Sequence, residues 1–172
     1  MAQENGLDAW LLDAVERRND RQKQRLAEKI FFRFGNDLSG KTFALWGLAF
    51  KPGTDDMREA PSLVLIEQLI AAGATIHAHD PIAIETATRE MKKGWLDDGR
   101  VRFFEHQYDA LHGADAMVLV TEWKPFRNPD FQRIKQALKQ PVIIDGRNQY
   151  DPAQMVELGI EYFGIGRGKV GG

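Results

Sequence analysis

The chain lacks cysteine altogether, so it has no disulfide bond, no thiolate metal ligand and no cysteine nucleophile of its own. It also lacks any apolar run near the roughly 20 residues that a membrane-spanning helix needs. The N-terminus does not show the pattern of a secretory signal peptide. Together these absences predict a soluble intracellular domain, located in the cytoplasm and without membrane contacts.

The chain also has no excess of basic residues over acidic ones. The 23 lysines and arginines are set against 25 aspartates and glutamates, which leaves a net charge of −2. Proteins that bind nucleic acid are usually basic, so no nucleic-acid partner is expected, although one local cluster of cations could hold a single anionic ligand. With 172 residues, 43% of them apolar, the chain has about the size of one domain with a buried core.

The first long stretch without glycine or proline runs from about residue 7 to residue 34 and predicts a long amphipathic helix that ends at Gly35. Two polar residues, Asn19 and Gln22, fall on its apolar face. They either contact solvent on a surface helix or hydrogen-bond a partner helix, and the sequence leaves both possibilities open. The apolar residues of this face are Leu11, Val15, Leu26 and Ile30.

Beyond Lys41, short apolar segments alternate with helical ones. This alternation predicts an α/β fold, a Rossmann-like parallel sheet flanked by helices and preceded by the long N-terminal α-helix. The predicted strands are Thr42–Trp46, Thr75–His79, Val101–Phe104, Ala116–Val120, Pro141–Ile144 and Ile160–Phe163. The predicted helices run from Pro61 to a stop at Gly73, over 82–93 with Gly94 as the end, over one turn at Tyr108–His112, and over Phe131–Leu138 and Ala153–Leu158. The glycine-rich segment 164–172 is expected to be mobile.

In an open parallel sheet, ligands bind beyond the carboxyl ends of the strands. The loop that follows the first strand does not carry a dinucleotide-binding fingerprint, because its three glycine positions hold Gly47, Ala49 and Pro52. The same loop offers charge instead, and another cation follows a later strand. A lysine and arginines at strand ends suit a phosphate or diphosphate, but the loop charges could equally pair with one another. These charged residues are Lys51, Asp55, Asp56, Arg58 and Arg147.

Other candidate residues favour structural roles. Asp80 occupies the position of a ribose-binding acid, but Pro81 follows it, so we favour an N-cap with proline at the first helical position. His77 and His79 face one side of a strand without a clustered third ligand, so no metal site is expected. Trp123 could stack on a nucleobase or pack inside the domain, and the sequence does not decide between these roles.

Four separate motifs stand out at the carboxyl ends of the predicted strands, at residues 47–61, 79–81, 120–123 and 144–148. In this order they resemble the signature of the UDP-glucose 6-dehydrogenase family. The segment Asn19 to Gln22 is also similar to the end of the long central helix of these enzymes, and the resemblance extends from about residue 5 to residue 168. The Thr-Glu-Trp version of one motif favours UDP-glucose over the UDP-N-acetylmannosamine and GDP-mannose relatives.

The resemblance implies a domain arrangement. Residues 1–36 correspond to the end of the central dimerisation helix, 37–168 to the C-terminal UDP-binding domain and 169–172 to a flexible tail. The NAD-binding domain and the nucleophilic cysteine of the family lie on a segment before this chain, so the chain is expected to be inactive alone. The same resemblance implies a homodimer or higher oligomer through the N-terminal helix.

The resemblance also implies a reaction and a set of site residues. The family oxidises UDP-glucose twice at C6 with two NAD⁺, through a thiohemiacetal and a thioester, to UDP-glucuronate. Phe50, Lys51 and Arg147 then resemble substrate-binding residues, Arg58 resembles a residue that reaches NAD, and Asp55 is similar to an acid that orders the loop. No catalytic residue and no metal ligand is assigned to this chain.

Three alternatives remain beside this interpretation. The chain could be the corresponding domain of a UDP-N-acetylmannosamine or GDP-mannose dehydrogenase, or a free-standing nucleotide-sugar-binding or partner-docking domain. A self-sufficient NAD reductase is the weakest alternative, because the dinucleotide fingerprint is absent.

Overall fold

The computed structural model describes residues 24–166 and 169–170. Helix α1 covers residues 24–34 and ends where the Gly35 N–H, at a φ of 86°, donates to the carbonyl of Phe31 at 2.9 Å. Leu26 and Ile30 of α1 are buried, as predicted from the apolar face. The earlier part of the predicted helix, including Asn19 and Gln22, lies outside the described residues. Within the described ranges, no helix is both long and apolar enough to cross a membrane.

A seven-stranded sheet forms the centre of the domain, with the order β3-β2-β1-β4-β5-β6-β7. Strands β1 to β6 pair in parallel, and β7 is antiparallel to β6. The Rossmann-like parallel sheet predicted from the alternating pattern is therefore confirmed. The strands are β1 Thr42–Trp46, β2 Thr75–His79, β3 Val101–Phe103, β4 Ala116–Leu119, β5 Val142–Asp145, β6 Glu161–Gly164 and β7 Lys169–Val170.

Helices on the sheet connections bury both faces of the central strands. Every residue of β4 and β5 is buried, which explains why these strands are continuous apolar runs in the sequence. Short 3₁₀ turns cover Asp109–Leu111 and Lys124–Phe126. The helices after α1 are α2 Pro61–Ala71, α3 Ile84–Glu90, α4 Lys93–Asp97, α5 Phe131–Ala137 and α6 Pro152–Glu157.

Two predictions about where regular structure ends are wrong. Gly94 does not end a helix over 82–93, because α3 stops at Glu90 and Gly94 lies inside the separate short helix α4. The chain end is not simply a mobile tail either, since Lys169–Val170 pairs with β6 as an edge strand. A two-residue strand has no periodicity of its own, so the pairing partner rather than the local sequence determines it.

Candidate functional site

Three connecting segments leave the carboxyl edge of the sheet side by side. Trp46 pairs with Leu119, and Leu119 pairs with Asp145, so the segments after β1, β4 and β5 start level with one another. The strand order reverses between β1 and β4, which is the place where ligands bind in sheets of this type. The segment after β1, residues 47–60, is the longest of the three and is called the β1–α2 loop below.

The dipeptide Leu48–Ala49, just after β1, is fixed by side chains from three other segments. Its two N–H groups donate to Oδ2 of Asp80 at 2.7 and 3.2 Å. Its carbonyl oxygens accept from Ser62 Oγ at 2.5 Å and from Thr121 Oγ1 at 2.6 Å. All four backbone polar groups of this buried dipeptide are therefore paired, which holds the start of the β1–α2 loop in one place.

Asp80 is only 1% exposed, at the end of β2. Its Oδ1 accepts from the N–H groups of Ile82 and Ala83 at 2.9 and 2.8 Å, so the carboxylate closes the turn that leads into α3. The predicted helix start at Pro81 is wrong, because α3 begins at Ile84 with Ala83 as its N-cap. Since both carboxylate oxygens already accept hydrogen bonds, Asp80 is not available to a ribose.

Trp123 packs inside the domain rather than offering a face to a ligand. It is 7% exposed, and its indole Nε1 donates to Oδ2 of Asp80 at 3.0 Å. Of the two roles left open by the sequence, the structure supports the packed one. The indole thereby joins the segment after β4 to the carboxylate that holds Leu48 and Ala49.

The switch point between β1 and β4 differs from a dinucleotide-binding turn. Gly47 has a φ of 90°, and a Cβ on it would lie 2.6 Å from Cβ of Thr121, so the segments after β1 and β4 are in close contact. A dinucleotide-binding turn brings the pyrophosphate close to the backbone at a glycine, whereas Ala49 occupies that position here and is buried. This turn therefore lacks the glycine pattern with which dinucleotide-binding domains hold a pyrophosphate.

Beyond the anchored dipeptide, the β1–α2 loop turns outward. Phe50 is 52% exposed, and Lys51 is exposed too. The N–H of Phe50 donates to the carbonyl of Asp56 at 2.9 Å, which closes the loop on itself. Asp55 accepts from Thr86 Oγ1 of α3 at 2.9 Å, a contact that suits an acid that orders the loop.

Arg58 pairs with Asp56 inside the same loop. Its Nε and Nη2 lie 2.9 and 2.8 Å from the two carboxylate oxygens, a bidentate pair on an open surface. Hydrogen bonds from Arg58 lower the pKa of Asp56 to about 2, and the carboxylate raises the pKa of Arg58. The expectation that loop charges pair with one another is thus correct for these two residues. Lys51, in contrast, forms no salt bridge with any other residue that the structure describes.

Arg147 stands on a turn that a second buried carboxylate organises. Oδ1 of Asp145 accepts from the N–H of Arg147 at 2.8 Å. Oδ2 accepts from the N–H groups of Gln149 and Tyr150 at 2.7 and 3.0 Å and from Tyr162 Oη at 2.9 Å. The direction in which the turn leaves β5 is therefore fixed from inside the domain, while the Arg147 side chain reaches the surface.

Helix α1 contacts the same turn from below. A Cβ on Gly146 would lie 2.8 Å from Leu26 Cδ1 and 2.8 Å from the carbonyl oxygen of Leu119, so only glycine allows this approach. On the other side, Asn148 at a φ of 51° exchanges two hydrogen bonds with the backbone of Ile165, at 2.8 and 3.0 Å. The residues before and after Arg147 are thus both held.

The guanidinium of Arg147 pairs with Glu122, which follows β4. The side chains are 42% and 26% exposed, so the pair is accessible to solvent. Burial raises the pKa of Glu122, but the hydrogen bond and the charge of Arg147 outweigh it and lower the pKa overall. A carboxylate therefore occupies the hydrogen-bonding groups with which Arg147 could hold a phosphate.

The two histidines of β2 make structural hydrogen bonds. Nδ1 of His77 lies 3.1 Å from the carbonyl of Ala110, and Nδ1 of His79 lies 2.9 Å from that of Phe104, so these nitrogens carry the protons. Burial lowers the pKa of both rings. Among the described residues, no group of three possible ligands could hold a metal ion.

An open cleft of about 490 Å³ lies further along the carboxyl edge, lined by His79, Arg133 and residues 105–109. None of the four predicted site residues lines this cleft. Phe50, Lys51, Arg58 and Arg147 instead stand on the exposed loops after β1 and β5.

Sequence reasoning assigned no individual role to Glu122 and Asp145, although both lie in recognised motifs. A signal was available for Asp145, since an acid at the end of a buried strand before Gly-Arg is a natural acceptor for the N–H groups of a turn. No local signal marks Glu122, because its pairing with Arg147 joins two segments 25 residues apart.

Comparison with known proteins gives consistent matches. The family model for the UDP-glucose/GDP-mannose dehydrogenase family, UDP binding domain, matches residues 44–152. A UDP-glucose 6-dehydrogenase of Pseudomonas aeruginosa is 50% identical over 170 residues, which cover 99% of this chain and 37% of that protein. A UDP-glucose 6-dehydrogenase of Rhizobium meliloti is 37% identical over 166 residues, 96% of this chain and 36% of that protein. The chain thus spans about 37% of the length of these relatives.

A solved structure supports the same fold. The UDP-glucose dehydrogenase of the hyperthermophilic archaeon Pyrobaculum islandicum aligns with a TM-score of 0.68 and 28% identity, over 84% of this chain and 30% of that one. At this TM-score the match supports the Rossmann-like fold described above.

Proposed function

The chain belongs to the UDP-glucose/GDP-mannose dehydrogenase family through its UDP binding domain, and we propose that it binds the UDP part of UDP-glucose within a longer NAD-dependent dehydrogenase. The resemblance inferred from the loop motifs is confirmed at the level of the family. Phe50, Lys51 and Arg147 are the proposed substrate-binding residues, and Arg58 is the proposed contact to NAD.

One observation carries this proposal. Exposed cations stand on the loops after β1 and β5, on either side of the point where the strand order reverses, while the residues beneath them are buried and hydrogen-bonded. Lys51 offers an ammonium that has no salt-bridge partner among residues 24–166 and 169–170, and Arg147 offers a planar fork that matches a phosphate oxygen pair. Both cations remain available to an anion. Arg147 is paired with Glu122, but an exposed ion pair of this kind breaks at little cost.

The remainder of the reaction is assigned to a part outside this chain. We propose that a separate NAD-binding domain supplies the dinucleotide site and the cysteine nucleophile, that a homodimer or higher oligomer assembles through the N-terminal helix, and that the enzyme works in the cytoplasm. The turn after β1 supports this division, because it packs closely against Thr121 and lacks the glycine pattern of a dinucleotide-binding turn. An exposed diphosphate site is also what a second domain can cover and shield from water.

Calorimetry with UDP on the 172-residue chain tests the proposal. Lys51→Ala removes this ammonium and should weaken UDP binding about tenfold, the value of one hydrogen bond to a charged group. Lys93→Ala, on the exposed surface of α4, is the matched control and should leave the affinity unchanged. Equal affinity of wild type and Lys51→Ala would remove Lys51 from the site.

A separate competition experiment tests which nucleotide sugar the chain prefers. We expect UDP-glucose to compete with UDP, and GDP-mannose to compete far less, if the motif around Glu122 reports the substrate class correctly. Preferential competition by UDP-N-acetylmannosamine or GDP-mannose would support the alternative substrate. NADH formation by the longer protein with UDP-glucose would then test the complete reaction.

A further inference from the structure

We propose that Asp80 is the positioning residue of the β1–α2 loop, holding Leu48 and Ala49 so that Phe50 and Lys51 face the UDP sugar. This inference rests on the proposed function for the identity of the ligand. The loop geometry itself is independent of that identity and can be measured without any ligand.

Asp80 joins three segments that meet at the carboxyl edge. Five N–H groups point at its two oxygens: two from the loop after β1, two from the turn before α3, and the indole of Trp123 after β4. Both oxygens act purely as acceptors, as those of an ionised carboxylate do. None of the salt bridges among the described residues involves Asp80, so N–H dipoles rather than a cation stabilise it.

The position of this carboxylate allows it to determine where the proposed ligand-binding side chains lie. Ala49 is followed directly by Phe50 and Lys51, which lie within about 8 Å of the anchored dipeptide along the chain. The outer part of the loop is attached by the closing bond from Phe50 to Asp56 and by the contact between Asp55 and Thr86. A change in the direction of the dipeptide therefore moves both proposed ligand-binding side chains.

Replacement of the carboxylate by an amide provides the test. In Asp80→Asn one oxygen becomes an NH₂ group and the other becomes an uncharged acceptor, so the hydrogen bonds from Leu48 and Ala49 are weakened or lost in either orientation of the amide. We therefore expect amide hydrogen exchange at Leu48 and Ala49 to accelerate at least tenfold, and UDP to bind about tenfold more weakly. Trp123→Phe removes one of the donors while keeping an aromatic ring, and should weaken UDP binding about threefold. This milder variant carries the test if Asp80→Asn does not fold.

Asp115→Asn is the matched control, since Asp115 is a buried carboxylate at the opposite edge of the sheet. It should lower the melting temperature without changing UDP affinity or exchange at Leu48 and Ala49. Unchanged exchange at these two amides in both test variants would overturn the proposal, and so would an equal loss of UDP affinity in Asp115→Asn. If the wild-type chain does not bind UDP at all, the proposed function is wrong, and the exchange data still decide whether Asp80 positions the loop.

Discussion

The two edges of the sheet handle buried carboxylates in opposite ways. At the amino edge, Asp115 accepts from the N–H of Thr42 at 2.9 Å and pairs with Lys41 and Lys139 at 3.5 and 3.4 Å. At the carboxyl edge, Asp80 and Asp145 accept from N–H and O–H groups, and none of the salt bridges in the described part of the chain involves them.

This difference decides which cations hold a buried acid in place. The lysines of the amino edge pair with buried Asp115, whereas the buried acids of the carboxyl edge bond N–H and O–H groups. The arginines of the carboxyl edge, Arg58 and Arg147, pair instead with the partly exposed carboxylates of Asp56 and Glu122. An anion can therefore displace these partners without taking a cation away from a buried acid.

The largest expected effect compares two glycines at opposite ends of β1. Gly40 and Gly47 both have positive φ, of 75° and 90°, but a Cβ meets nothing within 4 Å at Gly40 and Thr121 at 2.6 Å at Gly47. Gly40→Ala should cost about 1 kcal/mol, from backbone strain alone. Gly47→Ala should cost about 3 kcal/mol or more, because strain and overpacking add. Denaturant unfolding measures both, and equal costs would contradict the tight contact between β1 and β4.

The second comparison concerns anion binding. Arg147→Ala at the carboxyl edge should weaken UDP binding about 30-fold, since it removes charge-assisted hydrogen bonds to a phosphate. Lys139→Ala at the amino edge removes a cation too but should leave UDP affinity unchanged. Calorimetry on both variants checks this, and a loss of affinity in Lys139→Ala would mean that overall charge rather than position attracts the ligand.

The third prediction concerns the stability of the folded domain at acidic pH. Burial lowers the pKa of His77 and His79 below the usual value, so below about pH 6.5 the unfolded chain takes up protons that the folded chain refuses. The free energy of unfolding should therefore fall as the pH drops from 7 toward 5, by at most about 1.4 kcal/mol per pH unit for each histidine.

Denaturant unfolding at several pH values measures this slope. His77→Gln should flatten it, whereas His112→Gln, at an exposed position, should not. An unchanged slope in His77→Gln would show that other groups cause the acid sensitivity.

The smallest expected effect is a gain in UDP affinity. Glu122→Gln should strengthen UDP binding about threefold, because it releases Arg147 from an exposed ion pair and removes a negative charge near the diphosphate. Glu67→Gln, which disrupts the surface pair with Lys92, serves as the matched control. Weaker binding in Glu122→Gln would show instead that the carboxylate holds the guanidinium in the orientation the ligand needs.

The sequence predicts the buried strands well, because β4 and β5 are apolar runs bounded by turn residues and need no partner to be recognised. It also predicts that Lys51 and Arg147 lie on loops at one edge, since parallel strands end at the same side of a sheet. It fails at α4 and β7, where elements of five and two residues depend on packing and pairing more than on local propensity.

The side-chain hydrogen bonds that hold the β1–α2 loop from inside the domain could not be predicted from the sequence, for a related reason. Ser62, Thr121 and Asp80 bond the backbone of Leu48 and Ala49 from 14, 72 and about 32 residues away. Such contacts leave no periodic trace, because one polar side chain at a strand end looks the same whether it meets solvent or a distant peptide group.

Leu26 of helix α1 does more than fill the core, because it also lies against the turn that carries Arg147. Its methyl groups press against Gly146, the residue immediately before Arg147, and no side chain fills the space between them. Helix α1 therefore supports the turn that carries Arg147 from inside the domain, and the position of this proposed anion contact depends on the helix as well as on β5.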